Sequence, residues 1–490
     1  MTVTTMLSRR SLLAGATALA GATLFGRPNA APAYDRALPA PLPPGPETIV
    51  RLDLTAAERP LTLPCFDGHT LPMWTFTDSA APPIVRLKHG QRLETHLVNA
   101  LTKPGKHVSI HWHGIRLPND QDGVPYLVQQ PVEPGSSYDY SFVPPDPGTF
   151  FFHTHCNTVE QLGRGLMGLL IIEGDETEPY DAERILAVRD WRIAPSGKDF
   201  LPFLTLEGAG KAGTFGTVRS VNGASNPVIE VPASADVRLR VLNVDPTRIS
   251  EIGFEGAEAA VVGIDGLACP PFPLRSWKMG PAMRIDVVLR TPADGGSVTM
   301  LDYFAAKPVP LARLVARGPA IRTNPFDPAP LAAARIAPPD FGAAEPQLFT
   351  FSATATGAAV ADAAGDDGGP LGPLCLSAAS LWAINKQSWP GSGMDRLPPP
   401  IARLKRGTTY RFTLKNVTPR MHPIHVHGHS FTVLSSTKRS LPPHFADTVL
   451  LLPEETIEVA FVADNPGRWM MHCHIIEHQE TGMMAWFEVA

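Results

Sequence analysis

Pro83-Ile84-Val85-Arg86-Leu87 runs through a turn at Gly90 into a second alternating stretch that ends at Asn99. Side chains that alternate with period two line one face of a strand, so this is a strand–turn–strand unit with one face toward a core. The unit recurs. Pro227-Val228-Ile229-Glu230-Val231 passes through Ala233-Ser234 to Asn243, and Pro400-Ile401-Ala402-Arg403-Leu404 passes through Gly407 to Asn416. The interval from proline to asparagine is the same in all three copies. A second pattern occurs twice: Pro147-Gly148 leads to His153, and Pro466-Gly467 leads to His472. Repetition at fixed spacing marks duplication, and duplicated all-β units of this size read as sandwiches.

The chain divides accordingly into units at 40–175, 176–325 and 346–490. The Pro/Ala-rich stretch Asn324 to Ala344 reads as a linker laid over the surface. Ala353 to Gly372 has no apolar period to bury and reads as a loop insertion. Gly 41, Pro 52, 18% charged residues and a net charge of −5 describe a globular chain with no basic surplus for nucleic acid.

At the start, Ser8-Arg9-Arg10-Ser11-Leu12-Leu13 is a twin-arginine pattern followed by an apolar run to Phe25 and a small-residue site, Ala31-Pro32-Ala33. The run is short against the roughly 20 residues that span a bilayer. Residues 1–33 therefore read as a signal peptide for the twin-arginine export machinery. The mature chain is expected to be periplasmic or secreted, with no membrane attachment after cleavage. Cys65, Cys156, Cys269 and Cys375 have no CxxC spacing, and the sequence does not choose a disulfide pairing among them.

Of the 16 histidines, none lies between Cys156 and Met421. Ten fall in four clusters: His111-Trp112-His113-Gly114, His153-Thr154-His155, His422-Pro423-Ile424-His425-Val426-His427, and His472-Cys473-His474 with His478. His-x-His on a strand puts both imidazoles on one face. Two such pairs from the first unit and two from the third supply eight imidazoles to one interface, a set suited to copper, zinc, iron or nickel. One such pair is an ordinary coincidence; four in two duplicated units are not. In His472-Cys473-His474 the cysteine faces the other way, toward the remaining histidines His422 and His478. Two His, one Cys and a weak axial Met make a blue-copper electron-transfer site, and Met483 is the nearest axial candidate, with Met484 its rival. Adjacent peptide bonds link Cys473 to His472 and His474, a short path for single electrons into the larger cluster.

The motifs HWHG, HTH, HPIHVHGH and HCHIIEHQETGM, in this order after a twin-arginine start, resemble the three-domain multicopper oxidases, which include laccases and copper efflux oxidases. The resemblance covers essentially the whole mature chain. It implies three cupredoxin-like Greek-key β-sandwich domains and four coppers. By matching positions, His111 and His425 would hold the type 2 copper. His113, His153, His155, His427, His472 and His474 would hold the type 3 pair. His422, Cys473, His478 and Met483 would form the type 1 site. The resemblance implies one-electron oxidation of a small-molecule reductant, of the phenolic or aromatic class, coupled to four-electron reduction of O2 to water. The reductant is expected at a rim formed by His422 and His478.

Asp122 stands where related bacterial enzymes carry an acid near the type 2 copper; its competing role is to cap the turn before Gly123. Gln479 departs from the family, which often has an acid there, so Glu477 and Glu480 are candidate substitutes. His69, His89, His96, His107 and His444 read as surface or turn residues. Trp112, Trp469, Arg164 and Met167 read as packing, and Cys156 is expected to face away from His155. A rival reading is a Cu(I) or Mn(II) oxidase, but soft thioether ligands are scarce between residues 301 and 420, where Met394 stands alone. A copper-free envelope or division protein is opposed by the complete ligand set. A two-domain nitrite reductase is opposed by the four clusters.

Overall fold

The strand-forming runs pair into six sheets in this computed structural model, which describes residues 34, 36–41, 43, 45–102, 106–355, 380–389 and 397–490. The sheets come two at a time from successive stretches of chain. One pair uses strands from Ile49–Leu61 to Met167–Glu173, a second uses Ala182–Trp191 to Val309–Arg317, and a third uses Glu345–Ala353 to Met484–Val489. The protein is all-β, built of cupredoxin-like sandwiches. The signal-peptide reading and Cys375 lie outside the described residues, as does most of the 353–372 insertion. No helix among the described residues is long and apolar enough to cross a membrane.

The threefold repeat is a repeat of topology. The first strand of each copy lies parallel to the last strand of its stretch: Ile84–Lys88 beside Met167–Glu173, Val228–Pro232 beside Val309–Arg317, and Ala402–Leu404 beside Met484–Val489. The second strand lies parallel to the opening one: Arg92–Asn99 on Ile49–Leu61, Asp236–Asn243 on Ala182–Trp191, and Thr409–Asn416 on Glu345–Ala353. The terminal asparagine is needed because one amide closes the same corner each time. Asn99 Nδ2 donates to the carbonyls of Lys106 and Val132, Asn243 Nδ2 to those of Arg248 and Met279, and Asn416 Nδ2 to those of Arg420 and Leu452. Each side-chain oxygen accepts a backbone N–H two residues on. All three amides are buried, so a residue without both donor and acceptor leaves the corner unsatisfied.

The cores merge across the stretches. One apolar cluster runs from Phe151 through Val237, Val261 and Val287 to Phe412, Trp469 and Cys473. A smaller one joins Leu63, Phe66 and Met73 to Trp191 and Phe200. The linker is pinned where Leu331 and Ala329 are buried, so it follows the surface with apolar anchors.

Candidate metal centre

The histidine strands of the two ends of the chain meet. Ile110–His113 pairs with Gly148–Thr154 so that His111 is opposite His153, and His422–Val426 pairs with Gly467–Cys473 so that His425 is opposite His472. The two hairpins then face each other. His111 stacks on His427 with ring centroids 3.9 Å apart, and His113 stacks on His425 at 3.8 Å. His155, His427 and His474 lie one residue past their strand ends, where the pleat still carries them inward.

The ligand nitrogens gather as His111, His113 and His153, as His111, His425 and His427, and as His155, His427 and His472. His113, His153 and His474 have centroids 5.0 to 5.9 Å apart. His155, His427 and His472 have centroids 5.2 to 5.4 Å apart. His111 and His425 sit between them at 5.6 Å. All eight are buried, and burial with neighbouring imidazoles holds His113, His153, His155, His427, His472 and His474 neutral, well below the usual histidine range. A neutral imidazole is the form that ligates a metal.

Hydrogen bonds choose which nitrogen is offered. The Nδ1–H of His153 donates to the Thr154 carbonyl at 2.9 Å, that of His472 to the Cys473 carbonyl at 3.0 Å, and that of His425 to the Asp447 carbonyl at 2.9 Å. His111 Nδ1–H donates to the Asp122 carbonyl at 3.0 Å, and His427 Nδ1–H to Asp122 Oδ2 at 2.9 Å. Each of these rings is left with its Nε2 lone pair pointing into the cluster. His113 is reversed: its Nε2 is bonded to Asp447 Oδ1 at 3.1 Å, leaving Nδ1 free for the cluster. Among the described residues, no hydrogen-bond partner meets Nε2 of His111, His153, His155 or His425, Nδ1 of His113, or either nitrogen of His474. Each buried orphan costs about 1–3 kcal/mol. Metal ions shared among these nitrogens remove that cost, and neutral imidazoles suit copper, so the residues present fit the group the motifs imply.

The turn Asn119–Gln121 ends on Asp122, whose N–H bonds back to Asn119. Asp122 is therefore both a turn cap and a contact of two cluster histidines. Gly123 permits this: its φ is +76°, and a Cβ there would lie 1.7 Å from the Ile110 carbonyl oxygen.

On the reverse face of the Gly467–Cys473 strand, Cys473 Sγ lies 3.6 Å from His422 Nδ1 and 3.7 Å from His478 Nδ1, and the two ring nitrogens are 3.1 Å apart. The far nitrogens are held by the Thr418 hydroxyl at 2.8 Å and the Lys211 carbonyl at 2.9 Å. Burial pushes the Cys473 thiol above its usual value, so a cation beside the sulfur is what would keep it ionised. Met483 packs in the same apolar cluster as Cys473, whereas Met484 packs against Val124, Trp389 and Trp486 on the other side.

Several expectations change. His422 and His478 are fully buried and form no rim. The segment around the helix Leu206–Gly210 covers them, with Trp382 against both rings. Glu477 fastens that cover by accepting the N–H groups of Thr205 and Thr214 and the Thr214 hydroxyl. His444 is buried and packs edge-on to Trp277, and burial pulls it down to about 4. His69 is exposed, His96 is an exposed partner of Asp139, His89 is half-buried against the Pro145 carbonyl, and His107 pairs with Glu133. Trp112, Trp469 and Met167 are core, Arg164 stacks on Trp74, and Cys156 sits 3.8 Å from the Ser109 hydroxyl.

Asp447 gave no sequence signal, being one carboxylate at the bend between the strands Phe445–Ala446 and Thr448–Leu451. Its carboxylate touches His113 and is gripped in two-point fashion by Arg284, Nη1 to Oδ1 at 3.0 Å and Nη2 to Oδ2 at 2.6 Å. Burial works against its charge, but Arg284 and His113 hold it well below the usual carboxylate range. The middle stretch, which has no histidine, thus reaches the cluster through Arg284.

Comparison with known proteins agrees with this geometry. Two family models described as multicopper oxidase match residues 62–177 and 377–490. The crystal structure of a multicopper oxidase from Pseudomonas thermotolerans superposes with a TM-score of 0.79 at 36% identity, over 90% of this chain and 100% of that one. The multicopper oxidase MmcO of Mycobacterium tuberculosis is 29% identical over 96% of this chain and 90% of its own. Laccase-1 of Botryotinia fuckeliana is 26% identical over 86% and 79%. The chain belongs to the multicopper oxidase family.

Proposed function

We propose that this protein is an exported, laccase-like oxidase that takes single electrons from a small phenolic or aromatic reductant and reduces O2 to water. The observation that carries the reading is the set of buried, partnerless imidazole nitrogens beside a separate two-histidine, one-thiol site. His111 and His425 would hold one copper, type 2. His113, His153 and His474 would hold one of the type 3 pair, and His155, His427 and His472 the other. His422, Cys473, His478 and Met483 would hold type 1 copper, giving about four per chain. Copper bound there supplies one-electron chemistry at the thiol site and storage of several electrons at the histidine cluster. The three sheet pairs are taken as domains at 40–175, 176–325 and 346–490.

The chain's own residues do the rest. Backbone carbonyls and Asp122 fix the tautomers, so the ligating nitrogens are aimed before any ion arrives. The covering segment keeps bulk water from His422 and His478. A reductant therefore meets Lys211, whose carbonyl touches His478 Nε2, before it meets any imidazole. Asp122, in contact with both His111 and His427, is placed to hold or move a proton at the cluster edge. Gln479 and Glu480 are both buried, and Glu480 accepts the Thr158 N–H.

The test is the visible spectrum and turnover of copper-loaded protein. An intense blue thiolate band, a type 2 EPR signal and faster turnover on a phenol than on Cu(I) are expected. Cys473→Ser is expected to abolish the band and nearly all activity. Faster turnover on Cu(I) would move the assignment to the metal-oxidase class.

A further inference from the structure

A cavity of about 330 Å³ lies between the first and second sheet pairs, away from the histidines. Its walls are mostly aliphatic, with Ile84, Met167 and Leu169 on one side and Ile185 and Val244 on the other. One of its charged wall residues is buried with no carboxylate partner among the described residues. Arg189, on the strand Ala182–Trp191, is only 6% exposed, and its guanidinium stacks 3.7 Å over Trp191. Nη2 donates to the Leu162 and Gly163 carbonyls at 3.1 Å, capping the end of the helix Thr158–Arg164, and Nη1 lies 3.8 Å from Met167 Sδ. Nε has no partner among the described residues.

All of these acceptors are neutral. The other buried arginines of the same sheet are matched to carboxylates: Arg238 to Asp286 at 2.8 Å, Arg240 to Glu183 at 2.7 Å, and Arg284 to Asp447. No carboxylate lies within 4 Å of Arg189 among the described residues. The nearby acids are committed elsewhere. Asp190 is taken by Arg248 and Arg219, and Asp245 accepts the backbone N–H groups of Asp190, Thr247 and Arg248. An unmatched buried cation is costly, and burial lowers the Arg189 pKa to about 10. The remaining charged wall residues are Arg86, Arg184 and Glu183, and Glu183 is already bonded to Arg86 and Arg240.

We propose that the cavity binds an aliphatic monocarboxylate, its head group on Arg189 and its chain along the Ile84, Leu169 and Ile185 wall. The volume is at the lower end for small-molecule sites, which suits a short or medium chain. Charge decides the head group, since the walls carry a surplus of arginine and Arg189 has no carboxylate partner among the described residues. The wall chemistry decides the body, because the Trp191 ring is already covered by the guanidinium. Such a ligand contacts residues of two sheet pairs and so ties them together.

Sodium octanoate titrated into the copper-loaded full chain is the test, by calorimetry with a parallel thermal melt. One saturable site and a raised melting temperature are expected. Octylammonium and 1-octanol are expected to bind at least tenfold more weakly. Arg189→Met, which keeps the bulk and removes the charge, is expected to weaken octanoate at least tenfold. Ile185→Trp, which fills the cavity and leaves Arg189 intact, is expected to abolish binding and keeps the test open if Arg189→Met does not fold. No octanoate binding to the unaltered protein, equal binding of octanol, or undiminished binding by either folded variant overturns the proposal.

Discussion

Replacing Arg284 by Met removes the cation that reaches from the middle sheet pair into the histidine cluster. The loss can be sized. Arg284 and Asp447 are both buried, joined by two parallel hydrogen bonds at 3.0 and 2.6 Å. Arg284 also donates to the carbonyls of Thr149, Ala282 and Asp265. Methionine fills the volume but leaves the Asp447 charge uncompensated and three carbonyls short of a donor. Breaking a buried pair from one side costs about 3–5 kcal/mol. At about 2–4 °C per kcal/mol for units of this size, the copper-free protein is expected to unfold roughly 10 °C lower. The double variant Arg284→Met/Asp447→Asn removes the stranded charge as well and is expected to recover part of the loss. Scanning calorimetry of the parent, both single variants and the double variant gives the coupling. An Arg284→Met melt within about 1 °C of the parent, or a double variant that loses the plain sum of the singles, would refute the argument.

Other outcomes follow from the same contacts. Asp122→Asn is expected to loosen His427, which donates to Oδ2, while His111 keeps its bond to the backbone carbonyl, and to cost about 10–100-fold in copper affinity or O2 turnover, read by copper titration and oxygen consumption. Gly123→Ala is expected to yield little folded protein, because its Cβ would collide with the Ile110 carbonyl. Gly135→Ala, with φ +83° and open space around it, is expected to cost only about 1 kcal/mol in a denaturant titration. His444, buried and lowered to about 4, titrates near 6.5 when unfolded, so its contribution is complete above pH 6.5 and is lost as pH falls toward 4. His444→Phe is expected to melt with a shallower acid slope than the parent between pH 6.5 and 4, by at most about 3 kcal/mol; equal slopes would contradict the burial of that ring.

Much of this architecture was legible because strands write their facing directly into sequence. Period two placed the cluster histidines together and turned Cys473 the other way, and the structure brings those same atoms together. The repeated asparagines were visible as a spacing, although their shared corner bonds were not. What escaped was whatever depends on one chain stretch covering another. His422 and His478 read as a rim because nothing in the strand His422–Val426 or the helix Ile476–Glu480 shows that the segment around Leu206–Gly210 closes over them. Asp447 and Arg284 escaped because a lone acid and a lone base, far apart in sequence, carry no pattern until the sheets pack. His444 escaped for the same reason, its burial being supplied by Trp277 from the middle stretch.

The central claim is that imidazoles from both ends of the chain share bound copper while Cys473 holds a separate one. Diffraction from copper-loaded crystals, recorded on both sides of the copper absorption edge, locates the metal directly. Three anomalous peaks among His111, His113, His153, His155, His425, His427, His472 and His474, and a fourth beside Cys473, are expected. Fully loaded crystals with no peak between the two histidine hairpins would contradict it.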